Sequence, residues 1–275
     1  MTSAAPLPAA LYAGPEAFQR ERRTVFQAAW LMLARADQVR APRRYVAQSL
    51  GGWPVFAIAD AAGTPHAFRN VCRHQGLPLF DSGTGECAEI RCRYHGWTYD
   101  AAGNFRGAPP QSAPLDPADP LHHLGEVATA VVRGLLLVHL GTPGERSEIG
   151  AALESLAFAG ESVSDIDANW KLVVEEMLRG AGLGGAREFL WPTLIVDAHP
   201  DGAVVHQVIP RAFQRTRIHH HRYGTAAVPD VAAIRAAALA AQARLTQAKE
   251  MQVDVNADVA AFRARVASAH PVTTS

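Results

Sequence analysis

Two short stretches concentrate the side chains best able to hold a metal: Cys72-Arg73-His74 and, after residues 75–91, Cys92-Arg93-Tyr94-His95. Each offers one soft thiolate and one imidazole. Two Cys and two His can close a tetrahedral zinc site. The usual zinc finger pairs like with like along the chain, whereas each stretch here mixes the two ligand types. That mixing suits a two-iron cluster, in which the thiolates bind one iron and the imidazoles the other, each iron drawing on both stretches. Gly76 and Gly96 follow the two pairs and let the backbone turn close to such a cluster, where N–H groups can face its sulfides.

Such loops need a rigid scaffold, and the flanking sequence supplies one. Runs at 45–50, 54–58 and 66–69 are short and β-type, separated by Gly51-Gly52 and by residues 60–63, the punctuation of antiparallel strands. Residues 89–91, 97–99, 127–132 and 135–140 add further strands. A Pro-rich stretch from Pro109 to Pro120 reads as an extended surface loop. Upstream, Phe18, Val25, Phe26, Trp30 and Leu33 recur near helical spacing, which predicts a helix over 16–40.

After Gly141-Thr142-Pro143-Gly144 the composition changes. Helical patterns run near 149–158 and over 169–178, and the Gly-rich residues 180–185 end the second. Residues 189–198, 203–209 and 216–222 read as three strands. Helices follow at 231–245 and about 254–266. The expected architecture is α+β: an N-terminal helical segment (1–40), an antiparallel-β domain (41–150), and a truncated antiparallel sheet covered by helices (151–275).

With 275 residues, 48% of them hydrophobic and 19% charged, the chain has globular composition and is long enough for about two domains. Lys plus Arg and Asp plus Glu both number 26, so no charge excess draws the chain to nucleic acid or an anionic membrane. The longest apolar runs, such as 134–140, fall far short of the roughly 18 residues a spanning helix needs. Residues 1–13 lack a basic start and carry Pro6 and Pro8, so the reading is cytoplasmic, without a cleaved leader. Three cysteines, Cys72, Cys87 and Cys92, are too few for a disulfide framework.

The segments Phe68-Arg69-Asn70-Val71-Cys72-Arg73-His74-Gln75-Gly76 and Cys92-Arg93-Tyr94-His95-Gly96-Trp97-Thr98-Tyr99-Asp100 resemble the Rieske [2Fe–2S] motif. They look like the version found in the α subunits of Rieske non-haem iron ring-hydroxylating oxygenases. This resemblance implies one cluster held by Cys72, His74, Cys92 and His95. Respiratory Rieske proteins carry an extra cysteine pair that forms a disulfide, which Cys87 alone cannot supply, so Cys87 is expected to be a structural thiol. A two-imidazole cluster has a potential of about −150 to +300 mV and acts as a one-electron relay. Its irons are fully ligated, so oxygen chemistry in this family uses a second iron held by two His and a carboxylate.

Asn169-Trp170-Lys171-Leu172-Val173-Val174-Glu175 resembles the opening of the family's catalytic domain. Family members continue to a carboxylate, a Tyr-His pair, and a second His five residues after the first. In this chain those positions carry Arg179, Ala181 and Gly182, and Arg187, and no histidine lies between His139 and His199. The expectation is therefore a shortened C-terminal domain without a mononuclear iron of its own. Asp254 reads as a helix N-terminal residue. His219 and His221 share a strand face and could chelate, although a plain sheet run beside Arg217 and Arg222 is the preferred reading.

The resemblance further implies a trimer-type assembly in which electrons pass from the cluster of one subunit to the mononuclear iron of its neighbour. The expected role is an electron-transfer and structural subunit of a hetero-oligomeric Rieske oxygenase. Its partners would be an intact α-type oxygenase subunit and a ferredoxin or flavin reductase as donor. Two alternatives stand beside it: an oxygenase whose iron site is rebuilt from His199, His219, His221 or Asp254, and a stand-alone Rieske carrier.

Overall fold

The computed structural model describes residues 7–110, 115–146, 148–150, 153–180, 185–227, 231–245 and 256–270. It divides into two compact units, Ala29–Arg146, and Met1–Ala28 together with Ser147–Ser275.

The first unit is antiparallel β. Its strands are β1 (Trp30–Arg35), β2 (Arg44–Leu50), β3 (Trp53–Ala59), β4 (Pro65–Arg69), β5 (Gly83–Glu86), β6 (Ile90–Arg91), β7 (Thr98–Tyr99), β8 (Phe105–Gly107), β9 (Glu126–Val132) and β10 (Leu135–His139). Seven form a sheet in the order β1-β10-β9-β4-β3-β2-β5, and β6-β7-β8 form a separate three-stranded sheet. The β2–β3 hairpin turns at Gly51 and Gly52, both with positive φ (54° and 82°), as a two-residue turn matched to strand twist demands. Strand β1 departs from the predicted helix over 16–40. Leu31, Met32, Leu33 and Ala34 are all buried, and a strand covered on both faces shows an unbroken apolar run instead of alternation, which periodicity cannot tell from a helix.

The second unit opens with the short helices α1 (Ala10–Ala13) and α2 (Pro15–Glu21). It continues with β11 (Phe158–Ile166), α3 (Trp170–Arg179), β12 (Ala186–Leu190), β13 (Leu194–His199), β14 (Gly202–Ala212), β15 (Arg215–Gly224), α4 (Val231–Leu245) and α5 (Ala257–Ala269). The sheet runs β11-β15-β14-β13-β12, all antiparallel. Helix α3 packs on β14 and β15 and against α4 and α5, so the expected α+β class with a helix-covered sheet holds.

Asn169 starts α3 as its N-cap, its side chain accepting from the Lys171 N–H at 3.0 Å. Asn256 does the same for α5 through the Val259 N–H, also at 3.0 Å; Asp254, Ala181 and Gly182 lie outside the described residues. Two local expectations change. The described residues within 149–158 include a 3-10 turn at Leu153–Ser155 leading into β11, and the run 189–198 breaks into β12 and β13 around Pro192, which has no N–H for a ladder. Among the described residues no helix is long and apolar enough to cross a membrane.

Candidate metal centre

The two cysteine loops of the first unit are built alike. The Cys72 N–H donates to the Leu77 carbonyl at 2.8 Å and the Gly76 N–H to the Cys72 carbonyl at 2.9 Å. In the second loop the Cys92 N–H donates to Trp97 O at 2.8 Å and the Gly96 N–H to Cys92 O at 2.9 Å. Each turn requires positive φ at its glycine, 75° at Gly76 and 67° at Gly96, and at Gly96 a Cβ would also lie 2.9 Å from Pro109 Cγ. Because the geometry repeats, the two loops present matching ends.

The four donors then sort by burial. Cys72 and Cys92 are each 2% exposed, inside a core cluster with Phe68, Ile90, Trp97, Tyr99 and Phe105, whereas His74 and His95 stand exposed. The two imidazoles meet edge to face with centroids 4.7 Å apart, and Trp97 stacks on His74 at 5.1 Å. Burial pushes the Cys72 thiol up, the Tyr99 hydroxyl pulls it down, and hydrogen bonding and charge from neighbouring Cys92 raise it again. Tyr99 Oη lies 3.3 Å from Cys72 Sγ and accepts from the Arg73 N–H at 3.1 Å. Two adjacent free thiols on the inner side and two imidazoles on the outer side fit a mixed-ligand two-iron cluster.

A cleft of about 600 Å³ opens over this end, lined by His74, Arg91, Arg93, Tyr94 and His95 among others. Arg93 is paired to Asp81 at 2.6 and 2.9 Å. Cys87 is half-buried and packs against the same core, with burial and then Glu86 pushing its thiol up.

In the second unit the Asn-Trp-Lys opening of α3 is committed to structure. Lys171 Nζ meets Glu21 Oε1 at 2.5 Å and Trp170 Nε1 donates to Glu21 Oε2 at 2.8 Å, all three residues being fully buried. Glu175 accepts from Tyr12 at 2.6 Å, from Arg263 at 3.1 and 2.8 Å, and from Arg179 at 2.8 Å. Arg179 also pairs with Glu176.

Arg187 donates to the Met177 and Gly180 carbonyls at 2.6 and 2.7 Å and to both oxygens of Asp197. Asp197 also contacts His206 Nε2 at 3.3 Å, and His206 Nδ1 lies 2.7 Å from His220 Nδ1. Burial first, then His206 and the neighbouring histidines, depresses the His220 pKa to about 3 and keeps the ring neutral. This buried pair was not legible beforehand, since His206 and His220 meet only through the β14–β15 register.

His219 and His221 share a face of β15 as read from the sequence, and the structure adds Glu161 of β11, which faces both. His199 pairs with Gly202 at the end of the sheet and does not belong to this group.

Comparison with known proteins places these features. Residues 29–129 match the family model of the Rieske [2Fe-2S] domain. The chain is 32% identical over 199 residues to the glycine betaine monooxygenase oxygenase subunit of Chromohalobacter salexigens, covering 69% of this chain and 44% of that protein. It is 34% identical over 99 residues to the chlorobenzene dioxygenase subunit alpha of Cupriavidus sp., covering 36% of this chain and 22% of that one. The chain thus spans less than half the length of these curated relatives. In fold it is similar to a quaternary ammonium Rieske monooxygenase crystallised with its substrate L-carnitine, with a TM-score of 0.79, 16% identity, and 97% and 96% of the two chains covered.

Proposed function

Since the chain carries a Rieske [2Fe–2S] domain and is homologous to Rieske oxygenase α subunits, we propose that it is an electron-transfer and structural subunit of a hetero-oligomeric Rieske oxygenase. In this reading the Cys72 and Cys92 thiolates would hold one iron of the cluster, and the His74 and His95 imidazoles the other. The bound cluster supplies one-electron relay chemistry.

The chain's own residues set the terms of that relay. The Tyr99 hydroxyl hydrogen-bonds the Cys72 sulfur, and Trp97 fixes the ring plane of His74. Both imidazoles reach the surface, where an acceptor can approach within electron-transfer distance. Arg73 and Arg91 stand exposed beside them, positive charge that suits an acidic ferredoxin or flavin reductase.

The observation that carries the subunit reading is the fate of Arg179 and Arg187. They stand at two positions where the family resemblance expects iron ligands, and a guanidinium has no lone pair to give. Both are spent in ion pairs along α3 and Asp197. Oxygen activation then belongs to an intact α-type partner, with the cytoplasm as the setting. The glycine betaine monooxygenase match covers 69% of the chain, whereas the aromatic dioxygenase match covers 36% of it, so we read the assembly's substrate as a quaternary ammonium compound.

The test is to give the isolated, reduced chain oxygen and, in turn, glycine betaine, choline or L-carnitine. No oxidised product is expected without a partner subunit. Product formed by the isolated chain would overturn the reading.

A further inference from the structure

One side of the second unit's sheet carries a group of side chains that the electron-transfer reading does not use. Glu161 on β11 stands directly across from His221 on β15, and His219, two residues along the same strand, projects to the same side. The Glu161 carboxylate bridges the two rings. One oxygen is hydrogen-bonded to His219 Nδ1, and the other lies 3.7 Å from His221 Nδ1. The rings are near-parallel, at 19°, with centroids 6.1 Å apart. One donor atom from each residue lies within 4.8 Å of the other two.

We propose that Glu161, His219 and His221 form a binding site for one divalent first-row transition ion, held by two imidazole nitrogens and one carboxylate oxygen. The donor set decides the class of ion. Two imidazoles favour zinc and its transition-metal neighbours over calcium and magnesium, which take mostly oxygen. One carboxylate leaves a net positive site, and three protein ligands leave room for water or another small ligand.

The scaffold favours closure. An ion about 2.0–2.2 Å from each donor in a tetrahedral arrangement needs them about 3.3 Å apart. The two histidines sit on a laddered strand that fixes their backbones, so the remaining approach falls to the longer and more exposed Glu161 side chain. Arg217, two residues from His219 on the same strand face, is paired in bidentate fashion to Asp165 at 2.8 Å, so its charge does not oppose the ion. The site is independent of the cluster assignment, since none of its residues lies in the Cys72 or Cys92 loops.

The experiment uses the full chain with its cluster in place, dialysed against a chelator and titrated with Zn²⁺ in competition with a chromophoric chelator. Iron and sulfide are assayed throughout. One zinc per chain is expected with the iron content unchanged, with affinity reduced roughly tenfold or more by Glu161→Gln and lost with His219→Ala. Less than one zinc per chain, or Glu161→Gln binding as tightly as the unaltered protein, would overturn the proposal. Glu161→Gln decides the matter even if His219→Ala folds poorly, because it preserves the side-chain shape at an exposed position.

Discussion

Arg187 grips Asp197 through two hydrogen bonds, from Nε at 2.6 Å and from a terminal nitrogen at 2.8 Å, while its other terminal nitrogen closes the end of α3 on Met177 and Gly180. One side chain thus ties β12, β13 and the last turn of the helix together, at a position where a catalytic relative would be expected to hold iron.

Breaking this pair from one side strands a carboxylate that is 1% exposed. Arg187→Ala should destabilise the chain by about 3–5 kcal/mol in urea unfolding, because the buried Asp197 charge loses its partner. Combining Arg187→Met with Asp197→Leu should recover most of that loss. A single variant as stable as the unaltered protein would show that the pair carries no structural load.

The same carboxylate sets an acid limit. Burial works to raise the Asp197 pKa, but hydrogen bonds from Arg187 and His206, together with their charges, outweigh it and hold the value at about 2. An unfolded Asp titrates near 3.9, so its depressed folded value contributes stability that is complete above about pH 4 and lost as the pH falls toward 2. The contribution is roughly 2–3 kcal/mol. The stability gap between the unaltered chain and Asp197→Asn should narrow over that interval, and a gap constant with pH would contradict the assignment.

At the cluster, His74→Ala or Cys92→Ala should abolish the visible absorption of the iron–sulfur centre, since one iron would lose one of its two protein ligands. A spectrum unchanged by either substitution would remove both residues from the ligand set.

Tyr99→Phe should keep the cluster and lower its potential. The lost hydroxyl lies 3.3 Å from Cys72 Sγ, and hydrogen bonds to the sulfurs favour the more negative, reduced state. A bond contributing about 1 kcal/mol corresponds to about 40 mV for one electron. Voltammetry of the two proteins checks this, and an equal or higher potential in Tyr99→Phe would contradict it.

What the sequence made legible was local. The Cys72, His74, Cys92 and His95 spacing, the glycines at 76 and 96, and the 231–245 helix are short-range patterns; the structure turns the two loops at those glycines and forms the helix as α4. Features set by distant pairing stayed hidden. Strand β1 reads as helix because Leu31, Met32, Leu33 and Ala34 are all buried, which leaves no alternation to mark a strand. Glu161 meets His219 and His221 only after β11 aligns with β15, and Tyr12 and Glu21 reach α3 from the other end of the second unit's sequence.

The central claim, a cluster-bearing chain without an oxygen-activating iron of its own, is tested most directly by iron and acid-labile sulfide per chain. The assay uses protein purified anaerobically and dialysed against a chelator, both unaltered and as Glu161→Gln. The account predicts about one iron per sulfide in both proteins, as a lone [2Fe–2S] cluster requires. About three irons to two sulfides in either protein would contradict it, and a third iron that persists in Glu161→Gln would place its site elsewhere in the chain.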